Sequence, residues 1–234
     1  FVDIGANMGQ TLLDFIACGN ERAYVGWEPN ATCVYYLQKL IARNQLRECT
    51  VVPAAVADYS GVARLYRQPA VPTDTAATII SGLRPLHTNL TSAVVAVATF
   101  DSAWQALGGG PIGFVKIDVE GAELQVLRGM QGTMAAERPP ILCEIRLAPR
   151  GSDLADTAER NRAMKLLLTE QGYSLLRLVK PKGQLIDVEP VDELPVDYFS
   201  EEKREDRDYL IVPNEQQAAY LAAARKACHA PANA

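Results

Sequence analysis

Phe1-Val2-Asp3-Ile4-Gly5-Ala6-Asn7-Met8-Gly9 opens the chain and decides its architecture. A short apolar run meets two glycines, the pattern of a strand that turns tightly into a helix. Glycine serves where backbone turns sharply or approaches a ligand without a Cβ, and asparagine is among the few other residues that tolerate left-handed angles. Outward from this turn the same unit repeats. The sequence predicts a helix over 10–17, a strand over 23–27 that stops at Glu28-Pro29, a helix from Pro29 to about Arg43, and a strand over 50–56. In the second helix Val34, Leu37, Leu40 and Ile41 share one face. This β-α-β-α-β order builds a parallel sheet with helices on both faces.

Beyond a weak strand over 62–66, residues 67–93 lose periodicity and gather Pro, Gly, Ser and Thr, which predicts a lid or acceptor-binding loop. Strands follow over 93–98, 113–119, 141–145, 173–179 and 209–212. Between them lie a short helix from Phe100, a helix reaching about Met134, and a helix over 154–171. The acidic, proline-containing stretch 187–208 reads as a surface excursion. One domain is expected over 1–213, followed over 214–234 by a C-terminal helix, capped by Asn214, and a frayed tail.

A net charge of −5 argues against a nucleic-acid partner, which asks for a basic face. Cysteines 18, 33, 49, 143 and 228 are odd in number and share no CxxC spacing, so they are read as small apolar residues in a reducing cytoplasm. No apolar run reaches the ~18 residues of a membrane span, and no signal-peptide pattern is present. The chain opens on Phe1 within a strand, so further residues are expected upstream. Nothing in the sequence assigns an oligomeric state.

Open α/β sheets bind ligands beyond the carboxyl ends of their strands. Three such ends are acidic here: Asp3, Glu28 and Asp118, the last in the run Phe114-Val115-Lys116-Ile117-Asp118-Val119. A carboxylate at Glu28 can accept both hydroxyls of a ribose. A dinucleotide fingerprint would start at Gly5, but Asn7 stands at its second glycine and Gln10 at its third. A diphosphate wants bare amides at a helix N-terminus, whereas a cationic sulfonium nucleoside suits carboxylates such as Asp3 and Asp118.

Taken together, residues 1–9, Glu28-Pro29-Asn30, Pro53-Ala54-Ala55-Val56 and Val115-Lys116-Ile117-Asp118-Val119-Glu120-Gly121-Ala122-Glu123 resemble the FkbM family of methyltransferases. Leu127-x-Gly129 and Pro140-Ile141-Leu142-x-Glu144-Ile145 extend the likeness over about 1–146. The resemblance implies a doubly wound, Rossmann-like class I methyltransferase fold with a mostly parallel, seven-stranded sheet. It implies S-adenosyl-L-methionine as donor and O-methylation of a sugar, glycan or natural-product hydroxyl. It further implies that Asp3, Gly5, Ala6, Asn7 and Gly9 surround the methionine part of the donor and that Glu28 holds the ribose. Pro29, Asn30, Ala55 and Val56 would flank the adenine, and Asp118 would lie near the methyl group. The alternatives are N- or C-methylation on the same fold and a non-catalytic nucleoside-binding module.

Transfer to a hydroxyl needs the acceptor oxygen about 3 Å from the methyl carbon and a base to take its proton. The candidates are Asp118, Glu120, Glu144 and His87, the last beside Arg84, whose charge suits an anionic acceptor group. Lys116 and Asp118 share one face of their strand. A lysine inside a buried strand needs a partner, and Glu144 on the next strand is the expected one, either to order the sheet or to orient the acceptor. Glu120 and Glu123 open the next helix, where they favour its dipole, and Glu123 is expected to close a turn. Asp118, Glu120 and Glu144 could instead gather a divalent cation, but no histidine supports one and no metal ligand is assigned. Arg146 and Arg150 are placed at the ligand end, Glu201 to Asp208 on a solvated face, and the Tyr35-Tyr36 pair with one ring packed and one on the surface.

Overall fold

A computed structural model describes residues 1–20, 22–83, 90–200, 202–203 and 207–228. Strand β1 (Val2–Ile4) is buried along its whole length. It leads through the glycine turn into α1 (Gln10–Ala17), and β2 (Tyr24–Trp27), α2 (Ala31–Arg43) and β3 (Cys49–Val52) follow in the order the sequence predicts. Asn30 starts α2 by accepting the Thr32 N–H on its side chain at 3.1 Å. β1 pairs in parallel with β2 on one side and with β7 (Val115–Ile117) on the other. β2 pairs likewise with β3, and β7 with β8 (Ile141–Glu144). Chain order reverses between β1 and β7, and a crevice at their carboxyl ends is the expected ligand position in such a sheet.

β11 (Asp208–Pro213), β9 (Tyr173–Val179) and β10 (Asp187–Val191) extend this sheet by antiparallel pairing. The order is β10-β9-β11-β8-β7-β1-β2-β3, eight strands rather than the expected seven. The eighth comes from the stretch read as an acidic excursion. There Val188 is buried against Leu176 and Val212 while Glu189 meets Arg177 at 2.8 Å on the other side, and Pro190 is tolerated because the strand is an edge. The neighbouring acidic run is not simply a solvated face either: Arg207 pairs with Glu144, and Asp208 with Lys180.

The strand expected over 50–56 is two strands. Pro53 has no N–H for a ladder, and after it β4 (Ala55–Val56) leaves the main sheet. It joins a three-stranded sheet with β6 (Thr91–Ala98) and β5 (Gly61–Arg67) in the order β4-β6-β5. The helix expected to reach Met134 is also divided, into α4 (Glu123–Gly129) and α5 (Gln131–Glu137), at Met130, whose backbone leaves the helical region while its side chain is fully buried.

The main core joins Val2, Ile4, Val115, Ile117 and Ile141 of the parallel strands with Leu124 and Leu127 of α4. A second cluster joins Leu12 of α1 and Leu37 of α2 with Tyr24 and Ala6. Tyr35 and Tyr36 are both exposed, because the buried stripe of α2 is Cys33, Val34 and Leu37. α3 (Phe100–Ala106) and α6 (Leu154–Glu170) connect the strands, and α7 (Gln217–Cys228) lays Tyr220, Leu221 and Ala224 on the antiparallel end. Among the described residues no helix is long and apolar enough to cross a membrane.

Candidate functional site

The floor of the site is where three strand ends touch. Gly5 has φ +91°, and a Cβ on it would lie 1.8 Å from the Asp118 carbonyl oxygen, so only glycine lets the ends of β1 and β7 approach this closely. The Asp118 N–H donates to Ile4 O, and the Gly5 and Ala6 N–H groups donate to Trp27 O. Asn7, at φ +48°, turns its own N–H onto Glu28 Oε2 at 2.9 Å. The Asn30 N–H reaches Glu28 Oε1 at 2.7 Å. Glu28 is thus clamped between two loops. Burial pushes its carboxyl up to about 7, although both N–H bonds oppose the shift.

Above this floor lies a cavity of about 290 Å³. Gly5, Ala6, Asn7, Glu28, Pro29, Ala55, Val56, Lys116, Asp118 and Glu120 line it, each of them singled out in the sequence. Three expected cofactor residues do not. Asp3 is fully buried beneath the floor, and Gly9 packs against Leu37 and Leu40 of α2. Asn30 is occupied at the helix cap and donates its Nδ2 to Pro72 O at 2.8 Å. The roof comes from Asp74, Thr75, Ala77, Thr78 and Ile79, inside the stretch 67–93 expected as a lid or acceptor loop, with Ala54 and Leu65 beside them; none of these five was singled out in the sequence as a site residue. Asp74 shapes that roof by accepting the Gln68 N–H at 2.8 Å and the Ala76 N–H at 3.1 Å. The one sequence signal for it is an aspartate following Pro72-Thr73, a turn former without periodicity.

Charged groups are stacked below and beside the cavity. The buried Tyr24 hydroxyl donates to Asp3 Oδ2 at 2.6 Å, and Lys116 Nζ lies 3.5 Å from Asp3 Oδ1 and 3.3 Å from Asp118 Oδ2. Lys116 therefore does not pair with Glu144 as expected. Register explains the choice: Asp3 stands directly opposite Lys116 across β1 and β7, whereas Lys116 faces Leu142 on β8. Burial pushes the Asp3 carboxyl up, with Lys116 and the Tyr24 hydroxyl opposing. Burial would lower the Lys116 ammonium, but Asp3 and Asp118 outweigh it and hold it above its ordinary value.

Glu144 instead meets Arg207 at 2.6 Å, and Glu120 pairs with Arg146. Burial first, and then the Asp118 charge, push Glu144 up to about 7. Glu123 does close its turn, accepting the Gly121 N–H at 2.6 Å. Carboxylate oxygens of Asp118, Glu120 and Glu144 come within 4.8 Å of one another. Their donor set is one a hard divalent cation accepts. Each has a cation beside it, Arg146 at Glu120, Arg207 at Glu144 and, shared with Asp3, Lys116 at Asp118. Arg150 lines a different hollow with Tyr198 and Lys203. His87 and Arg84 lie outside the described residues.

A mostly parallel α/β sheet with an acidic, glycine-floored cavity at its carboxyl ends defines the class, a Rossmann-like protein with a small-ligand site. Residues 3–175 match the methyltransferase FkbM domain, and the chain belongs to the FkbM methyltransferase family. Its fold is similar to that of the crystal structure of Methyltransferase FkbM from Methylobacillus flagellatus KT, with a TM-score of 0.50 and 17% sequence identity. The likeness covers 90% of this chain and 42% of that one, so this chain spans less than half of its neighbour's length. Among curated proteins no sequence matches it.

Proposed function

We propose that the chain transfers a methyl group from S-adenosyl-L-methionine to a hydroxyl of a sugar, glycan or natural-product acceptor. The observation that carries this reading is the cavity at the ends of β1, β2 and β7, with Glu28 on one wall and Asp118 and Glu120 on another. Its lining fits the donor. Each Glu28 oxygen takes one backbone N–H and keeps a lone pair, so the carboxylate is aimed before ligand arrives and can accept ribose hydroxyls. Pro29, Ala54, Ala55, Val56 and Leu65 supply an apolar wall suited to an adenine ring. Gly5 keeps side chains off the floor, and Asp118 offers negative charge to a cationic ligand.

When bound, S-adenosyl-L-methionine supplies a methyl group already activated by its sulfonium. The chain's own residues then have two tasks, orientation and proton removal. Asp118 and Glu120 are the carboxylates that reach both the β7 end and the cavity, and Asp118 is the proposed base for the acceptor proton. Lys116, held by Asp3, fixes the Asp118 carboxylate, and Arg146 fixes Glu120. Glu144 stands behind them as a positioning group and does not line the cavity. None of these roles routes through a metal.

Calorimetric titration with S-adenosyl-L-methionine and with NAD, on the wild type and on Glu28→Ala, tests the reading. The first ligand is expected to bind and the second not. Glu28→Ala should weaken the first by about 1.5 kcal/mol or more, since it removes charge-assisted hydrogen bonds. Unchanged affinity in the variant, or preference for NAD, would refute the donor assignment.

A further inference from the structure

The two tyrosines on the first turns of α2 stay on its surface, and the proposed function makes no use of them. Tyr35 is 56% exposed and Tyr36 50%, where the sequence predicts that one ring of the pair packs. We propose that the outer face of α2 is a docking surface for a bilayer carrying anionic lipid, with Tyr35 and Tyr36 among the headgroups and Lys39, Arg43 and Arg47 against lipid phosphates. The inference stands apart from the donor reading, because none of these five residues lines the cofactor cavity.

The helix sorts its own residues. Cys33, Val34 and Leu37 are buried, and Leu40 and Ile41 pack on the same side. At about 100° per residue, the face opposite this stripe carries Tyr35 and Lys39 at its centre, with Arg43 and Tyr36 beside them. Lys39 and Arg43 are exposed, and so is Arg47, four residues past the end of the helix. Lys39 Nζ stands 5.4 Å from the centroid of the Tyr35 ring, and the Tyr35 and Tyr36 rings meet edge-on at 5.8 Å, so cation and rings form one surface. On the neighbouring helix, Gly9 packs on Leu37 and Leu40 of α2. Leu13, one turn further along that side of α1, is 49% exposed, which places an aliphatic side chain next to the aromatic and basic ones.

Charge selects the partner. The chain has a net charge of −5, yet residues 29–47 hold Lys39, Arg43 and Arg47 and no carboxylate. None of the three has a carboxylate partner among the described residues. A helix that is apolar on one side and basic and aromatic on the other suits an anionic membrane surface. Tyrosine suits the headgroup depth, since its ring is apolar and its hydroxyl polar. A nucleic-acid strand asks instead for a positively charged groove that follows its backbone, whereas the outer side of a single helix is convex.

Vesicle flotation tests the assignment. The probes are vesicles of phosphatidylcholine alone and of phosphatidylcholine with about 30% phosphatidylglycerol. The chain is expected to float with the anionic vesicles and not with the neutral ones. It should be released as salt rises from about 0.1 M to about 0.5 M, because screening shortens the reach of the three cations. Each cation near such a surface contributes roughly fivefold, so Lys39→Glu with Arg43→Glu should lower partition by at least about tenfold. Thermal melting checks that this variant is folded, and should it melt early, Arg43→Gln alone should still lower partition about fivefold. Tyr36→Trp places a reporter on the face itself, since Trp27 is buried and Trp104 stacks on Phe100. Its emission should shift to the blue on anionic vesicles and be quenched by brominated lipid. The assignment falls if the chain does not float, if it floats equally with both vesicles, if a folded charge variant floats unchanged, or if bound vesicles leave the Tyr36→Trp emission unmoved. It falls too if single-stranded DNA displaces the vesicles at equal phosphate concentration, which would give the face to nucleic acid.

Discussion

Asp3 is a carboxylate with no access to water, steadied by a tyrosine hydroxyl and one ammonium group. Removing one partner of such a pair costs more than the pair itself contributes, because the other charge stays buried. Lys116→Met is accordingly expected to lower unfolding free energy by about 3 kcal/mol or more, and adding Asp3→Asn should recover part of the loss. Urea unfolding of both single variants and the double variant measures the coupling, and strictly additive effects would dissolve the pair. Glu28 carries a related cost. Its pKa rises from 4.5 in the unfolded chain to about 7 in the fold, chiefly through burial. Between these values the folded protein holds a proton that the unfolded chain has released. The stabilising contribution is full below about 4.5 and is lost as pH rises through about 7, on the order of 3 kcal/mol in all. Glu28→Gln should therefore lose less stability than the wild type between about pH 5 and about pH 8. Equal slopes in denaturant titrations would show that Glu28 does not titrate in that window.

Among the elements, α5 has no capping side chain of its own. Asp101 of α3 supplies one, taking the Gly132 and Thr133 N–H groups at 2.8 and 2.9 Å. Asp101→Ala should cost about 1–2 kcal/mol, a fall in melting temperature of a few degrees, and an unchanged midpoint would make the contact incidental. This cap spans 30 residues of sequence, which is why α5 reads as a continuation of α4 until the fold is seen. The same division between local and distant causes runs through the molecule. Strands β1, β2 and β7 were legible because each is a short, mostly apolar run closed by a turn signal, Gly5 after β1, Glu28-Pro29 after β2 and Asp118 to Gly121 after β7. β10 was not, because at an edge only Val188 needs to be buried, and alternate acidic residues mask it. The Lys116 partner was misread because two flanking strands both offer a carboxylate, and only register selects Asp3. The cavity floor could thus be read from the motifs, while its roof, built from turns anchored on another sheet, showed only as an aperiodic stretch expected to be a lid or acceptor loop, without individual residues.

At the scale of the whole molecule, the roof over residues 67–83 decides how ligand enters. Several ties hold it. Asn30 holds Pro72, Thr78 bridges Tyr66 in both backbone directions, and Ile79 packs against the small sheet around Ala55 and Val97. Between these ties Val71, Pro72 and Thr75 are exposed, so a protease can reach the segment once it lifts. A ligand seated between floor and roof would stabilise the closed arrangement by its binding free energy, about 2.7 kcal/mol at one hundred times its dissociation constant. If cleavage requires the roof to open, saturating S-adenosyl-L-methionine should slow cutting within 67–83 by up to about a hundredfold. Cleavage elsewhere on the surface should be unchanged. Mass-spectrometric mapping of limited proteolysis with and without ligand reads both rates, and equal cutting within 67–83 would mean that the segment does not close over the bound donor. Asn30→Ala gives the complementary test, since losing the tie to Pro72 should speed cleavage in the free protein and enlarge the protection that ligand confers.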